Sequence, residues 1–210
     1  DLINAVLRSF QRDGKRLLYD SDATRYSCED WIAKLWEDAY GAEKAAELMR
    51  VSCTRAPLSV RANTLKISRD ELAERLKALG FDAALCESGS EAFGASRLCL
   101  YVSGSGLLET GLYREGFFSV QGEASCLAVE ALAPKEGETV IDLCAAPGGK
   151  SCAAFELMKG RGRVLALDIH AHRTQLIKKE AARLGFPVRT LDISAQTLGG
   201  SGQNAGLTAQ

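Results

Sequence analysis

No stretch of the chain approaches the run of about 20 apolar residues that crosses a bilayer. The chain also lacks a charged-then-apolar opening of the kind that directs secretion, so a cytoplasmic setting is the default. No two cysteines have C-x-x-C spacing. The seven, Cys28, Cys53, Cys86, Cys99, Cys126, Cys144 and Cys152, are odd in number and scattered, which argues against a disulfide framework and against a zinc site. Most read as small buried apolar residues of a reducing compartment. A basic excess is missing as well: the net charge is −1, so any contact with nucleic acid must be local. Residues 8–25 and 61–77 each carry five basic residues against three acids, a balance that solvated helix faces account for. There is no internal repeat.

What is present is ordinary for a globular protein of one large or two small domains: 210 residues, 46% apolar and 25% charged. "DLINAVLRSF" has apolar residues at helical spacing and begins abruptly, like the end of something larger. Ser27 is placed to cap the helix "CEDWIAKLWEDAY", with Asp30 at the capping-box position; Gly41 ends it and "AEKAAELMRV" follows. In "PLSVRANTLK", Leu58, Val60 and Ala62 alternate with Ser59, Arg61 and Asn63, which predicts a strand with one polar face. That face either meets solvent or touches RNA through Arg61 and Asn63. "SRDELAERLKALG" is a helix capped by Ser68, striped by Leu72, Leu76 and Leu79, and stopped by Gly80. "FDAALC" and "RLCLYV" complete a small α+β module.

After a glycine-marked boundary, "GFFSVQGEASCLAVEALA" gives a short strand and a helix. From residue 138 apolar strands alternate with helices: "ETVIDLC", "GGKSCAAFELM", "GRVLALDI", "AHRTQLIKKEAARLG", "FPVRTLD". That order predicts a parallel, doubly wound α/β sheet. Residues 193–210 hold no charge and four glycines, and read as a flexible tail.

The turn "VIDLCAAPGGKS" ends a strand and opens a helix, the place where α/β sheets bind ligands. Three readings compete. A P-loop needs G-x-x-x-x-G-K-[ST], and Cys144 stands where its first glycine belongs. A dinucleotide site needs G-x-G-x-x-G, which is absent. S-adenosylmethionine has no phosphate and needs no full phosphate cradle. Gly148 and Gly149 would let it lie against backbone, the helix N-terminus would meet its carboxylate, and an acid at the next strand tip would bind its ribose. Asp168 stands about 20 residues beyond the glycines, as such an acid should. Asp192 ends the third strand, where it lines the adenine side or merely forms a turn. His170 and His172 make an H-x-H pair with no evident third metal ligand, so no metal is assigned.

These segments together resemble the RsmB/Nop/Sun family of RNA cytosine-5 methyltransferases. "DLCAAPGGKS" is similar to its cofactor signature, and "GFFSVQGEAS" to the preceding segment, with Gly122 where the family usually has Asp. "RANTLK" is similar to its N-terminal module, and "LALDIHAHR" to its second-strand motif. "DLINAVLRSF" is similar to the last helix of the NusB-like domain in the bacterial ribosomal RNA member. The resemblance implies a Rossmann-like methyltransferase domain, the first half of its doubly wound sheet, behind a small α+β RNA-binding module and N-terminal helices. The implied divisions are 1–20, the end of a NusB-like domain; 21–56, a helical unit; 57–116, the RNA module; 117–192, the partial Rossmann-like domain; and 193–210, the tail. It further implies S-adenosyl-L-methionine bound by Cys144, Ala145, Ala146, Pro147, Gly148, Gly149, Lys150, Asp168 and Asp192, and small-subunit ribosomal RNA as partner.

Methylating C5 of cytosine requires a cysteine thiolate to add to C6 first. The family carries that cysteine in a proline–cysteine segment which this chain lacks, so the nucleophile is expected beyond residue 210 and the chain is expected to be an inactive fragment. Cys144 and Cys152 are poor substitutes, the first belonging to the cofactor turn and the second to the helix after it. The alternatives are a catalytically inactive RNA-binding or assembly protein of the same fold and, less favoured, a P-loop NTPase.

Overall fold

The computed structural model describes residues 2–13, 19–86 and 94–192. The expected tail at 193–210 and the basic residues Lys15 and Arg16 lie outside the described residues. The chain divides into two compact units, residues 1–56 and 57–210.

The first unit is helical: α1 (Leu2–Asp13), α2 (Asp22–Arg25), α3 (Asp30–Tyr40) and α4 (Ala42–Ser52). Ala23, Ala45 and Met49 form its small core, with Tyr26, Ala33 and Trp36 packed against them. No residue of α1 is buried, although its apolar positions have helical spacing. The start of α3 differs from the expectation. Ser27 closes α2 rather than capping α3: it adopts φ 51° and its N–H donates to the Thr24 carbonyl at 3.3 Å. α3 therefore begins after Glu29, which makes no side-chain cap. Gly41, at φ 82°, joins α3 to α4.

The second unit opens with β1 (Ser59–Ala62), α5 (Arg69–Ala78), β2 (Asp82–Leu85) and β3 (Cys99–Ser103). The short helix α6 (Gly111–Arg114) and β4 (Phe118–Val120) follow. These strands form one antiparallel sheet in the order β2-β3-β1-β4. Ser68 caps α5 as expected, accepting the Glu71 N–H at 3.1 Å. Leu72 and Leu76 are buried against Val60, Ala62, Leu100, Val102 and Phe118. Leu79, counted in the expected stripe, sits at the C-cap and is exposed.

Beyond the sheet come α7 (Glu123–Leu132), β5 (Thr139–Asp142), α8 (Gly149–Leu157), β6 (Arg163–Asp168), α9 (Ala171–Leu184) and β7 (Arg189–Asp192). β5, β6 and β7 form a parallel sheet in that order, with α8 and α9 as crossovers. This is the first half of a Rossmann-like sheet. Cys152, Phe155, Met158, Val164, Ala181, Leu184 and Phe186 make its core. Residues 57–116 and 117–192, separated in the sequence reading, share one compact unit because β4 pairs with β1: Val60 opposes Val120 and Ala62 opposes Phe118.

The two sheets meet across buried polar groups, and here the sequence reading needs correcting. Arg61 and Asn63 face neither solvent nor RNA; both are 0% exposed. Alternation does put Ser59 and Arg61 on the face opposite Val60 and Ala62, but that face is covered, so all four β1 residues are buried. Arg61 forms an ion pair with Glu156 of α8 and donates from Nε to Gln121 Oε1 at 2.7 Å. Asn63 Nδ2 donates to the carbonyls of Gly116 at 2.9 Å and Leu184 at 3.2 Å. A Cβ on Gly116 would stand 2.2 Å from the Arg183 carbonyl oxygen, so only glycine lets α9 approach there.

Candidate cofactor site

The turn at 143–148 hangs between β5 and α8 at the carboxyl edge of the parallel sheet. Asp142, the last residue of β5, organises it. Its Oδ1 accepts the Cys144 N–H at 3.3 Å and its Oδ2 accepts the Ser151 hydroxyl at 2.7 Å, tying the loop to the first turn of α8. The Ala145 N–H donates to the Leu167 carbonyl of β6 at 2.9 Å, and the Gly148 N–H to the Ala145 carbonyl at 2.7 Å. Ala145 is buried, whereas Cys144, Pro147 and Lys150 are exposed. The Ala146–Pro147 peptide is cis.

Packing within the protein accounts for Gly148 and leaves room for a methyl group at Gly149. Gly148 has φ 109°, and a Cβ on it would lie 3.2 Å from Ile177 Cγ2 and 3.3 Å from Ile177 Cα of α9. A Cβ on Gly149 would lie 3.4 Å from the Gln121 amide. The side chain missing at Gly148 would face Ile177 and the one missing at Gly149 would face Gln121. What the turn offers a ligand is the first turn of α8, whose N–H groups have no carbonyl four residues back.

Asp168 ends β6 and is 4% exposed. Its Oδ1 accepts the His170 N–H at 3.1 Å, while Oδ2 has the Arg173 guanidinium 4.0 Å away. A buried carboxylate with lone pairs to spare at a strand tip suits a vicinal diol. In the β6–β7 ladder Asp168 and Asp192 are register partners, so the backbone brings the two predicted acids side by side on adjacent strands. The rings of His170 and His172 stack with centroids 5.4 Å apart. Among the described residues no group of three or more His, Cys, Asp or Glu is placed to hold a metal ion.

Cys152 is fully buried, and burial pushes its thiol up to about 12, which removes it as a nucleophile. Sequence reasoning missed Asp142, Ser151, Ile177 and Gln121. Asp142 carried a signal, being an acid at the tip of the apolar strand "TVID" just before the turn. The other three are brought to the turn by tertiary packing.

Taken together, these features define a Rossmann-like methyltransferase fold preceded by a ferredoxin-like module. A family model described as 16S rRNA methyltransferase RsmB/F matches residues 129–202, and one described as the Methyltr_RsmF/B-like, ferredoxin-like domain matches residues 29–96. The probable ribosomal RNA small subunit methyltransferase B of Bacillus subtilis is 39% identical over 207 residues, an alignment covering 93% of this chain and 43% of the relative. The mouse 28S rRNA (cytosine-C(5))-methyltransferase is 34% identical over 163 residues, covering 78% of this chain and 20% of that protein. A crystal structure of a methyltransferase homolog protein from Pyrococcus horikoshii is 26% identical with a TM-score of 0.74, covering 87% of this chain and 59% of that one. The chain belongs to the RsmB/Nop/Sun family. It spans less than half the length of the Bacillus subtilis relative.

Proposed function

We propose that this chain holds the S-adenosyl-L-methionine site and the adjoining RNA module of a ribosomal RNA cytosine-C5 methyltransferase. The observation that carries the reading is the pairing of the turn at 144–150 with the buried Asp168 carboxylate across the tips of β5 and β6. On this reading the first turn of α8 receives the cofactor's carboxylate, Asp168 its ribose hydroxyls, and Asp192 the adenine side. The bound cofactor supplies an electrophilic methyl group. The chain's own residues orient it and exclude water behind it.

A triphosphate fits the turn poorly. A triphosphate cradle needs free N–H groups from the loop itself, before the helix starts, as well as from the first turn of the helix. Here the N–H of Cys144 is taken by Asp142, that of Ala145 by Leu167 and that of Gly148 by Ala145, and Pro147 has none. These bonds favour a phosphate-free ligand over an NTP.

The names of the relatives support ribosomal RNA as substrate, and the small-subunit relatives point to small-subunit RNA in particular. Arg61 and Asn63 do not contribute to that contact, being buried. No cysteine here is assigned as nucleophile: Cys86, Cys99, Cys126 and Cys152 are buried, Cys28 and Cys53 belong to the helical unit at residues 1–56, and Cys144 belongs to the turn. On this reading the 210-residue chain on its own is expected to bind cofactor weakly and to transfer no methyl group. Calorimetric titration with S-adenosylhomocysteine, and separately with ATP and magnesium, tests the reading. Heat with the first and none with the second is expected; the reverse overturns it.

A further inference from the structure

We propose, on the S-adenosylmethionine reading above, that Gln121 is a positioning residue for the cofactor turn, which makes the antiparallel module the rear wall of the cofactor site. Gln121 directly follows β4 and is 7% exposed. Its backbone is fixed on both sides by Ser59: the Gln121 N–H donates to the Ser59 carbonyl at 3.2 Å, and the Ser59 hydroxyl donates to the Gln121 carbonyl at 2.8 Å. Its side chain is fixed by Arg61, whose Nε–H reaches Oε1 at 2.7 Å. Reversing the amide would set donor against donor, so the plane has one orientation. Held in that plane, the amide flanks Gly149, the first residue of α8, with Cδ and Oε1 3.4 Å from where a Cβ would stand, so a methyl group would just fit between them.

The same guanidinium pairs with Glu156, two turns further along α8. The helix is thus tied near its end by Arg61 and flanked at its first residue by the fixed Gln121 amide, and both constraints originate in β1 and in the residue just after β4. The helix end that faces the cofactor's carboxylate takes its position from the module in front of it.

The test is calorimetric titration of the 210-residue chain with S-adenosylhomocysteine, alongside melting temperature. Gln121→Met removes the amide, and Arg61→Lys keeps a cation for Glu156 while removing the forked Nε donor. Each is expected to weaken binding about tenfold or more, through lost preorganisation. Ser119→Ala cuts a different bond of the same interface, from Ser119 to Glu180, and is expected to lower the melting temperature while leaving affinity within about twofold. Folded Gln121→Met and Arg61→Lys chains that bind as the unaltered chain does would overturn the proposal. So would a Ser119→Ala chain that loses as much affinity as they do. If Gln121→Met does not fold, Arg61→Lys alone decides between these outcomes. No binding by the unaltered chain is a separate result that removes the cofactor reading itself.

Discussion

Arg61 and Glu156 meet as an ion pair at the seam between the two sheets, each with its side chain 0% exposed. Ninety-five residues separate them in sequence. Thr64 adds a hydroxyl to the other Glu156 oxygen at 3.2 Å. Neither charged side chain reaches solvent, so the pair acts on the fold and on the position of α8.

Removing one partner strands the other. Arg61→Met and Glu156→Leu are each expected to cost about 3–5 kcal/mol, and the double variant less than the sum, because two apolar side chains leave no orphaned charge. Urea unfolding of the four proteins measures this. Burial lifts the Glu156 carboxyl above its ordinary 4.5, with Arg61 pulling the other way. An acid with a raised pKa binds its proton more tightly folded than unfolded. Its contribution to stability is therefore full below the ordinary value and is lost as pH climbs through the raised one. Arg61→Met removes the counter-pull, so the fall in stability as pH rises above the ordinary carboxylate value should grow. An unchanged slope would count against the pair.

Gly148→Ala should cost about 1–3 kcal/mol, since its φ of 109° disfavours any side chain and a methyl group would press on Ile177 at 3.2–3.3 Å. Gly149→Ala places its methyl at an ordinary 3.4 Å from Gln121 and should cost less. Thermal melts of the two variants check the order.

Asp168→Asn retains an oxygen for the His170 N–H, so the fold should survive. Losing the charge beside a ribose is expected to weaken S-adenosylhomocysteine binding about 10–100-fold, the worth of a charge-assisted hydrogen bond. Calorimetry beside circular dichroism separates this outcome from unfolding.

The thiols should react in an order set by burial. Cys53 and Cys144 are exposed and should take up iodoacetamide first, while Cys86, Cys99, Cys126 and Cys152 should be protected until the chain unfolds. Peptide mapping by mass spectrometry reads the order. Cys152, raised from 9.0 to about 12, holds its proton longer in the folded state than in the unfolded. Stability should therefore decline as pH rises above about 9, and Cys152→Ala should flatten that decline.

Local patterns in the chain announced their own elements. Ser68 and the Leu72–Leu76 stripe identified α5, and the alternation of apolar strands with helices identified the parallel sheet, because capping and periodicity act over a few residues. The acid at the tip of β6 was legible for the same reason. Ser27 misled because a short helix upstream, α2, claims it first. The polar face of β1 misled because alternation tells which residues share a face but not what covers it. A clue did exist in "CAAFELM": a single acid, Glu156, in an otherwise apolar stretch called for a buried cation, and Arg61 is that cation. Gln121 gave no local sign, since its role depends on Gly149 approaching from another element.

The pairing of β4 with β1 also decides where this molecule can be cut. Cleavage at residue 116, where the glycines suggest a natural seam, would take from β1 one of its two ladders and from the leucine-rich interior its Phe118. Excision after Val120 would preserve the ladders but leave Arg61 without its carboxylate and Asn63 without Leu184. Neither half can be lifted out whole, so residues 57–192 travel as a single inheritable piece, and shuffling one sheet onto another partner would have to bring the seam along.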